Sequence, residues 1–163
     1  MSRPARPMLH LVPDVAQPRP QIRFCGHCGQ APPPMAARSR VCSLCGLGVV
    51  IGADEDLAPA PREPFVIVDR QLKLCGVSRA AEKLLGIVEP TAIDRHISEF
   101  LEPADAEAGH GDELVHGIVA GAVSGVPARS IVLRPSGEYG VRYAARIGRC
   151  GPPVGALIVL ASV

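Results

Sequence analysis

Four cysteines near the front of the chain carry the clearest chemistry. Cys25-Gly26-His27-Cys28-Gly29 is followed by Cys42-Ser43-Leu44-Cys45-Gly46, with thirteen residues between Cys28 and Cys42. A two-residue gap lets both thiolates of a tight turn face one ion. The glycine after each pair permits the left-handed backbone that such a turn needs and frees backbone N–H groups to point at sulfur. Four thiolates favour tetrahedral Zn(II), and binding supplies folding free energy, about 10–16 kcal/mol apparent, that so short a segment cannot draw from a core of its own. Cys25, Cys28, Cys42 and Cys45 are therefore the expected metal ligands.

Other uses of these thiols are weighed on the same residues. Disulfides are disfavoured because no secretory signal is recognisable: the first twenty residues hold five prolines and no continuous apolar run. A thioredoxin-like site needs one C-x2-C opening a helix, not two. Rubredoxin-like iron shares the ligands but rests on an aromatic core. His27 and His10 are substitute ligands in principle, although four cysteines already fill the shell. Phe24 and Leu47–Ile51 offer an apolar backing and a closing strand. The segment at about 22–52 resembles a two-knuckle zinc ribbon. A closed shell leaves no position for water, so hydrolysis at this metal is not expected. Ribbons of this kind bind nucleic acid or protein, or hold a terminus together. Arg23, Arg38 and Arg40 are the candidates for phosphate contact, which is possible but not favoured, since the thiolates offset part of that basicity.

The elements that carry this site follow from composition. The chain has 163 residues, 17 basic and 16 acidic side chains, and only 3% aromatics, so the core must be aliphatic and a stacking platform for single-stranded nucleic acid is not expected. No apolar run suffices for a membrane span, and a cytoplasmic location is expected. Eleven of the 17 prolines fall within residues 1–64. Residues 1–21 read as an Arg/Pro-rich disordered tail and 53–64 as an acidic, proline-rich spacer; 65–163 form the globular domain.

Within that domain Phe65–Val68 is a β-branched apolar run that reads as a strand buried on both faces, and Leu72–Val77 as its hairpin partner. Ser78 caps a short helix bearing Ala81, Leu84 and Leu85, ended by Gly86. Ile97–Leu101 reads as a helical turn stopping near Pro103. Asp112 is the expected N-cap of a longer helix whose stripe is Leu114, Val115, Ile118, Val119, Ala122 and Val123. Ser130–Arg134 and Glu138–Gly148 alternate around Pro135-Ser136-Gly137, with Val141, Tyr143, Ala145 and Ile147 on one side and Arg142 and Arg146 on the other. Val154–Leu160 is a second continuous apolar strand.

Pro64–Asp69, Val77–Gly86 and Ile97–Asp105 together resemble a PAS domain, over about 65–163; that family often has Asn where Ser78 stands. The resemblance implies an α+β fold: a five-stranded antiparallel sheet with helices on one face, its first and last strands adjacent and central. The two continuous apolar runs occupy those two positions. The resemblance also implies a sensory or interaction module that holds haem, flavin, a metabolite or nothing. His96, His110 and His116 read as surface histidines and no Asn-Cys-Arg setting for a flavin adduct is present, so neither haem nor flavin is expected; the small-molecule ligand is unknown. Cys75 and Cys150 read as buried or half-buried free thiols. Central strands apolar on both sides need a cover on the helix-free face, supplied by a second subunit, a partner protein or the N-terminal segment folding back. The chain shows no nucleophile elbow, phosphate-binding loop or His-Glu-x-x-His motif. A non-enzymatic regulatory protein is expected, with a nucleic-acid-associated regulator as the alternative and a redox thiol protein third.

Overall fold

The computed structural model describes residues 20–36, 39–104 and 111–162. Strands β1 (Gln21–Cys25) and β2 (Val50–Asp54) form the ribbon. They are followed by β3 (Phe65–Val68), β4 (Leu74–Val77), helices α1 (Arg79–Leu85) and α2 (Glu89–Ala92), and β5 (Leu101–Pro103). Helix α3 (Gly111–Val123) then leads into β6 (Arg129–Pro135), β7 (Tyr143–Gly151) and β8 (Gly155–Ser162). The eight strands among the described residues share one antiparallel sheet. Its main path is β1-β2-β7-β8-β3-β4, with β6 on β7 and β5 on β6. The first and last strands of the domain, β3 and β8, lie side by side at its centre, with Phe65 opposite Val159 and Val68 opposite Ala156.

Burial explains that order. Phe65, Val66 and Val68 are buried, as is every residue from Gly155 to Leu160, so these two strands must be covered on both faces. Toward the helices, Val66, Ile147, Ile158 and Leu160 meet Val115, Ile118, Val119 and Ala122 of α3. Ser78 caps α1 by accepting the Ala81 N–H at 3.1 Å, and the same buried oxygen accepts the N–H of Phe65 at 2.9 Å, joining the first helix to the first central strand. Gly86 closes α1, its N–H returning to the Glu82 carbonyl.

Four local expectations are corrected. Leu114 is exposed, because the sheet meets a narrower stripe centred on Val115, Val119 and Ala122; the helix already includes Gly111, which places Asp112 in its first turn rather than at the cap. After a 3-10 turn at Ile97–Glu99 the chain extends as β5, with Leu101 opposite Pro135. Residues 138–142 are not strand and Val141 is exposed. There the loop is drawn toward β5: Ser136 donates to the Phe100 carbonyl and Gly137 to Glu102 Oε1.

The helix-free face is covered by the chain itself. Phe24, Ile51, Ala53 and Leu57 lie against Phe65, Leu157 and Val159, and the Phe24 and Phe65 rings meet edge to face with centroids 5.4 Å apart. β7 makes this geometrically possible. One edge pairs with β6 from Tyr143 to Ile147, and the end of the same edge pairs with β2, Ala53 opposite Cys150 and Gly52 opposite Gly151. The proline-rich stretch before β3 is packed rather than a free spacer: Leu57 is buried, and both Glu63 carboxylate oxygens lie 3.0 Å from the Arg146 guanidinium.

Candidate metal centre

Cys25 ends β1, and the chain turns at once so that Cys28 faces back. The second turn, Cys42 to Cys45, leads into β2. Each turn is closed by its glycine: Gly29 donates to the Cys25 carbonyl at 2.9 Å and Gly46 to the Cys42 carbonyl at 2.8 Å. Both glycines are left-handed, φ +73° and +70°, the conformation expected from the spacing. The ribbon strands hold the two turns together through Gly26 N–H to Val49 O, Cys42 N–H to Gly48 O and Val50 N–H to Arg40 O.

The four Sγ atoms all lie within 4.8 Å of one another. Cys25 and Cys45 are 3.7 Å apart and Cys28 and Cys42 3.9 Å. A tetrahedral ion with metal–sulfur bonds of about 2.3 Å requires sulfur–sulfur separations of about 3.8 Å. The donors therefore fit such an ion, and all four are free thiols. The backbone N–H groups of His27 and Cys28 each reach Cys25 Sγ at 3.4 Å, stabilising negative sulfur. Without the ion's charge the set is divided. Burial pushes the Cys25 thiol up to about 12 and raises Cys28 as well. Burial acts upward on Cys45 too, but the N–H groups of Gly48 and Leu47 and the neighbouring sulfurs outweigh it and draw that thiol down to about 6. The little cluster of Cys25, Cys42 and Val50, flanked by Cys28 and Cys45, is the ribbon's own interior, so the four candidate ligands are also its core.

Gly48 belongs to the site although ligand spacing alone does not mark it. A Cβ there would overlap Cys25 Sγ and come within 2.7 Å of His27 Cβ. His27 is not a ligand. Its Nδ1 lies 3.1 Å from Glu89 Oε2, and its carbonyl accepts the Arg79 N–H at 2.8 Å. Glu89 Oε1 in turn accepts the Val77 N–H at 3.0 Å. The first knuckle is thus tied to β4, α1 and α2 at once. Arg23 sits on β1 with one N–H 3.3 Å from the Ser39 carbonyl, and Arg40 is exposed; His10, Arg38 and His110 lie outside the described residues. Cys75 is exposed, correcting the expectation of burial, because it lies on the edge strand β4; Cys150 is buried and its thiol is pushed up to about 12 by that burial. His116 is exposed and His96 caps the 3-10 turn, accepting from the Ser98 N–H. No helix among the described residues is long and apolar enough to cross a membrane.

No protein-family model matches the chain, and no curated protein matches it either. Solved structures do. Its structural neighbours are PAS domains. One, from a Desulfitobacterium hafniense protein, is 15% identical, covering 63% of this chain and 93% of that one, TM-score 0.47. Another, from a Colwellia psychrerythraea protein, is 16% identical over 63% and 86% of the two chains, TM-score 0.48. The PAS domain of nitrogen regulation protein NR(II) from Vibrio parahaemolyticus is 12% identical over 63% and 90%, TM-score 0.46. What describes the fold of this chain is its own strand order, an antiparallel α+β sheet with its first and last domain strands central.

Proposed function

We propose that this chain is a non-enzymatic regulatory protein of the cytoplasm, in which a zinc-held ribbon is built into the sheet of a PAS-like receiver that signals by contact with another protein. One observation carries the reading. Four sulfurs at tetrahedral spacing sit in a unit whose strand β2 continues the β7 edge and whose His27 carbonyl takes an N–H at the start of α1. An ion there fixes the ribbon, and the ribbon fixes one face of the receiver. A tetrathiolate shell has no open position for substrate or water, which makes the metal's role structural. Zinc is the ion proposed because it is redox-inert and suits four thiolates. A change of ligand or partner on the receiver, or loss of the ion, then alters the same set of contacts.

Hydrogen exchange on the full chain, with zinc and after chelation, tests this. The Arg79 amide should be strongly protected with zinc and exchange much faster without it, because its acceptor is the knuckle carbonyl. Equal protection in both states would show that the knuckle keeps its place on α1 without the ion, and the proposal would fall.

A further inference from the structure

Arg23 and Arg40 border one cleft beside β2, but another cleft gathers three cations. Arg62, Arg79 and Lys83 line a single cleft of about 640 Å³ between the first knuckle, the end of the proline-rich stretch and α1. All three are exposed, and none has an ion pair among the described residues. No carboxylate among the described residues lines the cleft. The nearest acids in sequence are engaged elsewhere: Glu63 with Arg146 and the Ala60 N–H, Glu82 with the Glu89 N–H. Arg62 is held left-handed at φ +69°, a conformation uncommon in a non-glycine residue and concentrated at functional sites. Pro64, Ala80 and Leu84 add an apolar wall.

From this we infer a binding site for a small organic phosphate: a phosphate group drawn in by the cations that line the cleft, carried on a body that lies against the apolar wall. The volume falls in the range of small-molecule sites, roughly 300–1,000 Å³. Guanidinium pairs suit phosphate oxygens through two-pronged hydrogen bonds, and the ammonium adds a point charge. The competing role for these cations is to balance the metal centre, since Cys28 borders the same cleft. Four thiolates around one divalent ion leave an excess negative charge of about two, which three cations more than offset, so an anion is still attracted. The site goes beyond the regulatory reading and does not depend on it: the Arg79 amide can lose protection with the metal whether or not the cleft binds anything.

Calorimetric titration of the zinc-loaded full chain with adenosine monophosphate, with adenosine as the uncharged control, tests the assignment. One saturable site per chain for the nucleotide and none for adenosine is expected. Arg79→Gln and Lys83→Gln should each weaken binding roughly tenfold while zinc content stays unchanged. Arg62→Gly removes a cation and relaxes the left-handed backbone, so binding should weaken with no fall in Tm. Absence of saturable binding at millimolar nucleotide overturns the proposal, as does binding that the three variants leave unchanged. So does faster zinc loss to a chelator in the variants without any nucleotide binding, which would assign the cations to the thiolates. Retention of duplex DNA through these residues without nucleotide binding would place the phosphate on a polymer and equally overturn it.

Discussion

At Gly48 the cysteine cluster leaves no room for a side chain. Gly48→Ala drives a methyl group into Cys25 Sγ, and the backbone on both sides is fixed by ladder hydrogen bonds, so the ligand must move. Purified G48A should contain well under one zinc per chain by metal analysis. Gly46→Ala makes the useful contrast: nothing lies within 4 Å of its Cβ, and the penalty is only the left-handed backbone, about 1–2 kcal/mol, so zinc should be retained with a lower Tm. Cys150 supplies a pH signature. Its thiol is at about 12 in the folded chain against an ordinary 9.0, so the folded state keeps a proton that the unfolded state releases between those values. Stability is therefore full below about pH 9 and declines as pH rises toward 12. Denaturant titrations across that window should show a shallower decline for Cys150→Ala than for the parent chain.

Elements reveal which parts of the structure could be read in advance. The clustering of the four cysteines was legible because C-x2-C is a local geometry, and β3 and β8 because a strand buried on both faces needs an unbroken apolar run. Ser78 was legible as a helix cap, but not as the acceptor for Phe65, since that contact joins residues thirteen apart across two elements. Ser78→Ala removes the cap and leaves the Phe65 N–H buried and unpaired; together about 1–3 kcal/mol should be lost, read from chemical denaturation. The remaining discrepancies share a cause. Val141 and Leu114 fit their periodic patterns yet are exposed, because the neighbour that would cover them is committed elsewhere: the 136–142 loop to β5, and the sheet to the centre of the α3 stripe. Leu57 errs the other way. It sits among acids and prolines that read as a spacer, and the apolar outer sheet face it packs on, with side-chain-free Gly148 beneath it, accounts for its burial. Glu89, placed beside a proline at the start of a four-residue helix, gave no sign that it would clamp His27.

For the whole molecule, the ribbon is the cover of an otherwise apolar face, and on the proposed reading that cover draws on an ion for its own interior. Phe24→Ala deletes the ring that meets Phe65 and should cost about 3–5 kcal/mol, seen as a fall in denaturation midpoint. Chelation should act on the same face by a different route. Once the sulfurs are released, Phe65, Leu157 and Val159 lose their partners, and a dye that fluoresces on apolar surface should bind far more strongly to the metal-free chain. The most direct measurement is zinc K-edge X-ray absorption on protein purified from metal-replete cells. One zinc per chain with four sulfur neighbours at about 2.3 Å is the expected result. A spectrum dominated by nitrogen or oxygen neighbours, or a chain with no bound metal, would contradict a ribbon organised by Cys25, Cys28, Cys42 and Cys45.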